Sequence, residues 1–403
     1  MSSAETIADA LALPGAPPAD RPGFAQSLSD GPAGTALLHV ERAQAGQGTW
    51  SRAHSWLTAA ARTPASAADS TGLWCGAPAL AFSLGCATSY DSARYWQALT
   101  AIDEHVTALA HRRVSAATRR VEAGHRPAFD EYDVFRGLTG IGVYLLRHQP
   151  GSSALERILT HLVTLTRPAR DDRLGLVPGW WVGHDPHRTH TPDFPGGHAN
   201  LGVAHGITGP LLLMARTLRR GITVDGQADA VHSVLAWLDQ WRQDGPSGPW
   251  WPEYLTLGDL RSSRTAQTGP SRPSWCYGTP GIARAGQTAS IALRDIARQH
   301  TYEDALACCL ADPRQLARLT DTSLCHGWAG TYQTAWRAAQ DAINPALHTV
   351  LPPVADALVR HVSTAQGHGP GLLLGDAGTA LALTTAACDA APASGWDACL
   401  LID

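Results

Sequence analysis

The sequence predicts an all-α protein built from stacked helical hairpins, and three observations carry that prediction. A turn of Gly, two residues, then Gly or Ala recurs seven times along the 403 residues. Each turn leads into a segment that is apolar or small on every side, as in Val143-Tyr144-Leu145-Leu146, Leu211-Leu212-Leu213-Met214-Ala215 and Ala380-Leu381-Ala382-Leu383. Between these runs, apolar residues recur at helical spacing with polar ones in the gaps: Leu155, Ile158, Leu159, Leu162 and Val163, or Val231, Val234, Leu235 and Leu238. A helix apolar all round is buried all round, whereas one with a polar stripe lies outside it. The unit is thus read as outer helix, loop, turn and inner helix, burying its core only by stacking on its neighbours. Strand-like alternation is scarce. The repeats alone fit a closed ring and an open superhelix equally.

In chain order the turns are Gly31-Pro32-Ala33-Gly34, Gly76-Ala77-Pro78-Ala79, Gly137-Leu138-Thr139-Gly140, Gly206-Ile207-Thr208-Gly209, Gly278-Thr279-Pro280-Gly281, Gly327-Trp328-Ala329-Gly330 and Gly375-Asp376-Ala377-Gly378. Glycine suits a chain that needs positive φ or close backbone approach as it enters a crowded inner layer. Successive turns are 45, 61, 69, 72, 49 and 48 residues apart. The longer intervals hold insertions near 168–200 and 244–274, just ahead of the fourth and fifth turns. They are rich in Trp, Pro, Gly and His, a composition suited to loops that grip an extended peptide. The whole chain, 1–403, is expected to form one domain.

Composition narrows the function. A net charge of −4 and 16% charged residues argue against a surface that tracks nucleic-acid phosphates. Met1 to Gly23 shows no basic flank followed by an apolar core, so no secretory signal is expected. No run of eighteen apolar residues occurs, so no membrane span is expected. The eight cysteines lack the dense spacing of a stapled secreted domain and are read as reduced, in a cytoplasmic protein, most of them as small core residues.

If all inner helices run the same way, residues just before each first glycine share one rim. That register collects Asp133, His205, Arg272, Cys276, Tyr277, Cys325 and His326 from four turns. Cys276, Cys325 and His326 supply two thiols and an imidazole, three zinc-type ligands with a fourth position open, as in catalytic zinc sites. Each alone would more often be a packing residue; in matching register they are read together. His205 either caps an inner helix or moves a proton. Asp133 has the alternative of an N-cap ahead of Val134, Arg272 of a surface ion pair, and Tyr277 of core packing. The loop histidines His184, His187, His190 and His198 form a rival cluster, read as a solvated loop. Cys75 also lies in rim register and is read as packing.

The motifs Trp275-Cys276-Tyr277-Gly278-x-Pro280-Gly281, Cys325-His326-Gly327, Phe194-Pro195 ahead of Asn200-Leu201-Gly202-x-Ala204-His205-Gly206, and Asp133-x-x-x-Gly137-x-x-Gly140 resemble those of the lanthionine synthetase C-like cyclases, which close thioether rings in lanthipeptides. The likeness extends through all seven repeats; Ala79 in place of a glycine and the His-rich loops depart from it. It implies a closed α/α toroid of seven inner and seven outer helices. It implies one zinc ion on Cys276, Cys325 and His326, an acid/base role for His205, and a site lined by Asp133, Arg272 and Tyr277. The implied reaction is Michael-type addition of a peptide cysteine to dehydroalanine or dehydrobutyrine in a dehydrated precursor peptide, with dehydration left to a separate dehydratase. A zinc-bearing protein that binds thiols or thiol peptides without catalysis is the alternative. A toroidal glycosidase would need two carboxylates across a cleft, and the rim offers only Asp133.

Overall fold

A computed structural model describes residues 3–18, 20–88, 92–171, 174–364 and 367–403. Fourteen helices build its body: α1 (Ser3–Ala10), α2 (Pro32–Gln44), α3 (Trp50–Ala60), α4 (Ala77–Thr88), α5 (Ser92–Glu122), α6 (Leu138–His148), α7 (Ser153–Leu165), α8 (Thr208–Arg219), α9 (Gln227–Trp241), α10 (Thr279–Leu293), α11 (Ile296–Ala311), α12 (Trp328–Asp341), α13 (Ala346–Thr364) and α14 (Asp376–Cys388). Every even-numbered helix opens within one of the seven turns. These seven pack side by side in chain order, and α14 meets α2, so the ring closes. The odd-numbered helices lie outside it.

The phase of the repeat differs from the sequence reading. Each inner helix packs against the outer helix that follows it, from α2 on α3 to α12 on α13, while α14 takes α1 from the other end of the chain. Links such as 149–152, 294–295 and 342–345 are too short for anything but an antiparallel neighbour. The hairpin is therefore inner helix first, and α1 completes the seventh pair.

The turn glycines answer mainly to crowding. Of the seven first glycines only Gly76 and Gly278 have positive φ, 78° and 106°. The second glycine of six copies, Gly34, Gly140, Gly209, Gly281, Gly330 and Gly378, faces the carbonyl oxygen six residues earlier, inside the distance a Cβ would require. Gly330→Ala would drive its Cβ into the Leu324 carbonyl. The expected cost is about 3 kcal/mol, read as a fall in unfolding midpoint, since main chain must shift to make room. Gly151→Ala, where a Cβ meets nothing within 4 Å, is the control expected to change little.

A belt of main-chain hydrogen bonds links the turns. Leu28 N–H donates to the Trp74 carbonyl (3.1 Å), Trp74 to Phe135 (3.2 Å), Val134 to Ala204 (3.2 Å), Ala204 to Cys276 (3.4 Å), Cys276 to Cys325 (3.2 Å), Cys325 to Leu373 (3.1 Å) and Leu373 to Ser29 (2.9 Å). One bond thus crosses each of the seven interfaces and returns to the first. It also satisfies polar backbone that the inner layer would otherwise bury unpaired.

The bore is filled by the chain itself. Residues Trp396 to Ile402 are all buried. Glu41 of α2 accepts from the Ala393 and Ser394 amides (2.9 and 2.8 Å), and Arg147 of α6 donates to the Gly395 carbonyl (3.0 Å). Asp397 takes Gln333 and both arms of Arg337 from α12. Trp275, descending from the belt, donates its indole N–H to the Leu400 carbonyl at 2.8 Å.

Strands are few and short. β1 (Ala169–Asp171) pairs with β2 (Gly175–Val177), β3 (His198–Asn200) with β6 (Tyr254–Thr256), and β4 (Gln243–Gly245) with β5 (Gly248–Trp250), all antiparallel. The β3–β6 pair ties the stretch before the fourth turn to the stretch before the fifth; within 168–200, positions 172 and 173 lie outside the described residues. All eight cysteines are free, but only Cys86, Cys276, Cys309 and Cys399 are buried, fewer than the sequence suggested. Among the described residues no helix is long and apolar enough to cross a membrane.

Candidate active site

The belt explains why residues distant in sequence meet. Ser29, Trp74, Phe135, Ala204, Cys276, Cys325 and Leu373 each lie two positions before the first glycine of their turn, and each takes part in the belt. Main chains joined in this way run about 5 Å apart, so matching positions on adjacent turns become neighbours. Cys276 and Cys325 are such a pair, on the fifth and sixth turns. His326 follows Cys325 in the bend, its amide held by Ser323 Oγ at 3.3 Å.

One ligand atom each from Cys276, Cys325 and His326 lie within 4.8 Å of one another, and no other such group of three occurs among the described residues. Two sulfurs and an imidazole nitrogen at that span suit a single zinc ion with bonds of about 2.0–2.3 Å. The protonation pattern agrees. A hydrogen bond from Cys325, with further ones from His326 and Ser274, holds the Cys276 thiol well below its usual range, while the neighbouring sulfur and burial raise Cys325 well above it. The Asp321 carboxylate, 3.4 Å from His326 Nε2, steadies the imidazole.

Beside this trio, His205 and Asp133 form a second unit. His205 Nδ1 lies 2.7 Å from Asp133 Oδ2. The other oxygen, Oδ1, accepts from the amides of Arg136 (2.8 Å) and Gly137 (2.7 Å) at the start of α6. Asp133 therefore holds the bend at 133–137 together and partners the histidine; it is no N-cap ahead of Val134, because the next helix, α6, begins at Leu138 with Gly137 at its N-cap position. The imidazole is stacked between Phe135 (centroids 5.1 Å apart, planes at 25°) and Phe129 (5.5 Å, 24°). With Nδ1 engaged by Asp133 and two aromatic rings against it, the His205 side chain remains 36% exposed, which leaves Nε2 free for a reactant.

Tyr277 and Arg272 complete the rim. The Tyr277 hydroxyl accepts from Asn200 Nδ2 at 3.0 Å, not from backbone, and burial pushes its phenol above the usual range. Its ring lies where a Cβ on Gly202 would be. Arg272 makes no surface ion pair among the described residues; its Nε is buried without a partner and its charge acts on Cys325. An unpaired buried guanidinium nitrogen beside the thiols is suited to an anionic or carbonyl oxygen on a substrate.

The solvated-loop reading of the four histidines is half corrected. His187 and His190 are exposed. His198 is fully buried by the β3–β6 pairing, bonds through Nδ1 to the His184 carbonyl at 2.8 Å, and is pushed by burial down to about 4. His184 and His198 both meet Phe129 edge-on, at 4.6 and 5.4 Å. They form a wall behind the ring that stacks on His205, and among the described residues they make no second metal cluster.

Phe129, Phe135 and Asp321 escaped the sequence reading. Phe135 occupies the same register as Cys276 and could have been found there; Phe129 and Asp321 lie outside it. Phe135→Leu should free the imidazole to tilt. Metal stoichiometry is expected to be unchanged, while the His205 ring signals shift in NMR and any reaction using that ring slows about tenfold, the cost of small misplacement.

A family model described as "Lanthionine synthetase C-like protein" matches residues 24–401. The nisin biosynthesis protein NisC of Lactococcus lactis subsp. lactis is 24% identical over 204 residues, 50% of this chain and 47% of that protein, so the aligned stretch spans about half the curated relative. A solved structure titled nisin cyclase superposes with a TM-score of 0.80 at 18% identity, covering 99% of this chain and 96% of that one. It shares the closed double ring of helices.

Proposed function

The chain belongs to the lanthionine synthetase C-like family, and from that premise we propose that it is a zinc-dependent lanthipeptide cyclase. Its substrate would be a dehydrated precursor peptide, delivered by a separate dehydratase. In the reaction, a cysteine sulfur of the peptide bonds to the β-carbon of a dehydroalanine or dehydrobutyrine in the same chain. The double bond becomes single, the thiol gives up its proton, and the α-carbon gains one, so nothing is released.

The observation that carries this reading is the meeting of Cys276, Cys325 and His326 within 4.8 Å on the belt that also holds His205. Zinc bound there would keep an incoming thiol, its fourth ligand, ionised at neutral pH, whereas a free one titrates near 8.5. The chain's own residues supply the rest. His205, with Nδ1–H donated to Asp133, is set to carry a proton at Nε2 and to pass it to the α-carbon. The unpartnered Arg272 guanidinium and the Tyr277 hydroxyl suit the carbonyl oxygen that becomes anionic as the bond forms. Phe129 and Phe135 hold the imidazole in orientation by packing against it.

We take residues 1–403 as one cyclase domain, with 168–200 and 244–274 guiding the peptide. A cytoplasmic setting suits eight unpaired thiols. The Asp133–His205 pair favours catalysis over simple thiol binding, which needs no proton carrier. The test is incubation of the zinc-loaded chain with a dehydrated precursor peptide, followed by thiol alkylation and mass spectrometry. Loss of alkylatable thiols without change in peptide mass is expected. Peptide that binds but keeps every thiol reactive would favour the non-catalytic reading.

A further inference from the structure

At the end of the ring opposite the belt lies a cavity of about 360 Å³ lined by Arg216, Arg219, Arg220, Arg284, Arg337, Gln340, Asp341 and Asp403. Five guanidiniums face two carboxylates there; a third, Asp397, is held by Arg337 behind the wall. A main-chain carboxylate at 403 would still leave the guanidiniums in excess. Their partners are unevenly shared. Asp341 is taken by both Arg219 (3.0 Å) and Arg284 (2.9 Å), and Asp403 by Arg216. Arg220 meets no carboxylate among the described residues; its hydrogen bond goes to the Leu146 carbonyl at 3.3 Å.

Arg216 and Arg220 stand one turn apart on α8 and at its C-cap, so they project from the same side of the helix, where like charges repel. Burial, then the charges of Arg220 and Arg284, depress Arg216 well below the usual guanidinium range. Five guanidiniums gathered around one cavity with fewer carboxylates leave a positive potential there that an anion would offset. Guanidinium forks pair with tetrahedral oxyanions through parallel N–H donors, and among the described residues Arg216 and Arg220 each make only one side-chain hydrogen bond.

We propose that this cavity binds a phosphate-type oxyanion, seated between Arg216 and Arg220. The site is separate from the cysteine–histidine rim, and the proposal does not depend on the cyclase reading. The same chemistry could come from a free anion or from the terminal phosphates of a nucleotide.

The test is thermal unfolding and calorimetric titration of the full chain with inorganic phosphate, pyrophosphate and ADP, against sodium chloride at matched ionic strength. A saturable rise in unfolding midpoint with pyrophosphate, absent with chloride, is expected. In Arg220→Gln the dissociation constant should rise about tenfold or more, as loss of a charged hydrogen bond implies, with Arg220→Lys in between. Arg220 is solvent-exposed at the cavity mouth, so the fold should survive either change. ADP binding tighter than pyrophosphate would assign the anion to a nucleotide, and weaker binding to the free ion. Equal shifts with chloride, or an unchanged constant in Arg220→Gln, would overturn the site.

Discussion

Cys276→Ala or Cys325→Ala is expected to lower zinc from about one ion per chain to below about a tenth, and to abolish ring closure. Removal of a partner outside the ligand set already costs a metal site about 10–100-fold in affinity, and these variants remove a ligand itself. Two effects add in the rate. At pH 7 only about 3% of a free thiol with a pKa near 8.5 is ionised, so losing the ion costs about thirtyfold in reactive sulfur. Losing its hold on that sulfur costs at least as much again; together the fall should be about a thousandfold. Cys308→Ser alters an exposed thiol and should leave zinc and rate alone. Zinc content equal to wild type in both ligand variants would refute the assignment.

His205→Ala should separate metal from chemistry. Zinc is expected to stay at one per chain, because His205 belongs to the fourth turn and to the Asp133 carboxylate rather than to the thiol pair. Ring closure should slow about 10²–10⁴-fold, the usual worth of a positioned proton carrier. Asp133→Asn is the finer probe. Its amide oxygen can still hold the bend ahead of α6 by accepting from Arg136 and Gly137, while its amide nitrogen has nothing to offer an Nδ1–H donor. The rate should therefore fall between wild type and His205→Ala, with the helix intact. Normal turnover in His205→Ala would remove that residue from the reaction.

Much of this was legible before any coordinates. The turn of Gly, two residues, then Gly or Ala located all seven inner helices; in six of them a position too crowded for a Cβ leaves its mark six residues after the carbonyl it faces. The same register found Cys276 and Cys325, since the belt joins like positions on adjacent turns. The phase of the hairpin was not legible: α1 packs on α14 from across the sequence, and no local pattern records a contact of that span. The loop histidines misled because composition speaks for exposure, whereas the β3–β6 pairing decides burial. Phe129 was invisible for a related reason; its neighbour His205 is 76 positions away, on a different turn.

The plugged bore has one more consequence. With Trp396 to Ile402 packed into the centre of the ring, no polypeptide can be threaded through it like a cord through a bead. Under the cyclase reading proposed above, a peptide that needs several loops closed would back out by the way it came in and present itself afresh each time, and the order of closure would fall to the stiffness and sequence of the visiting chain.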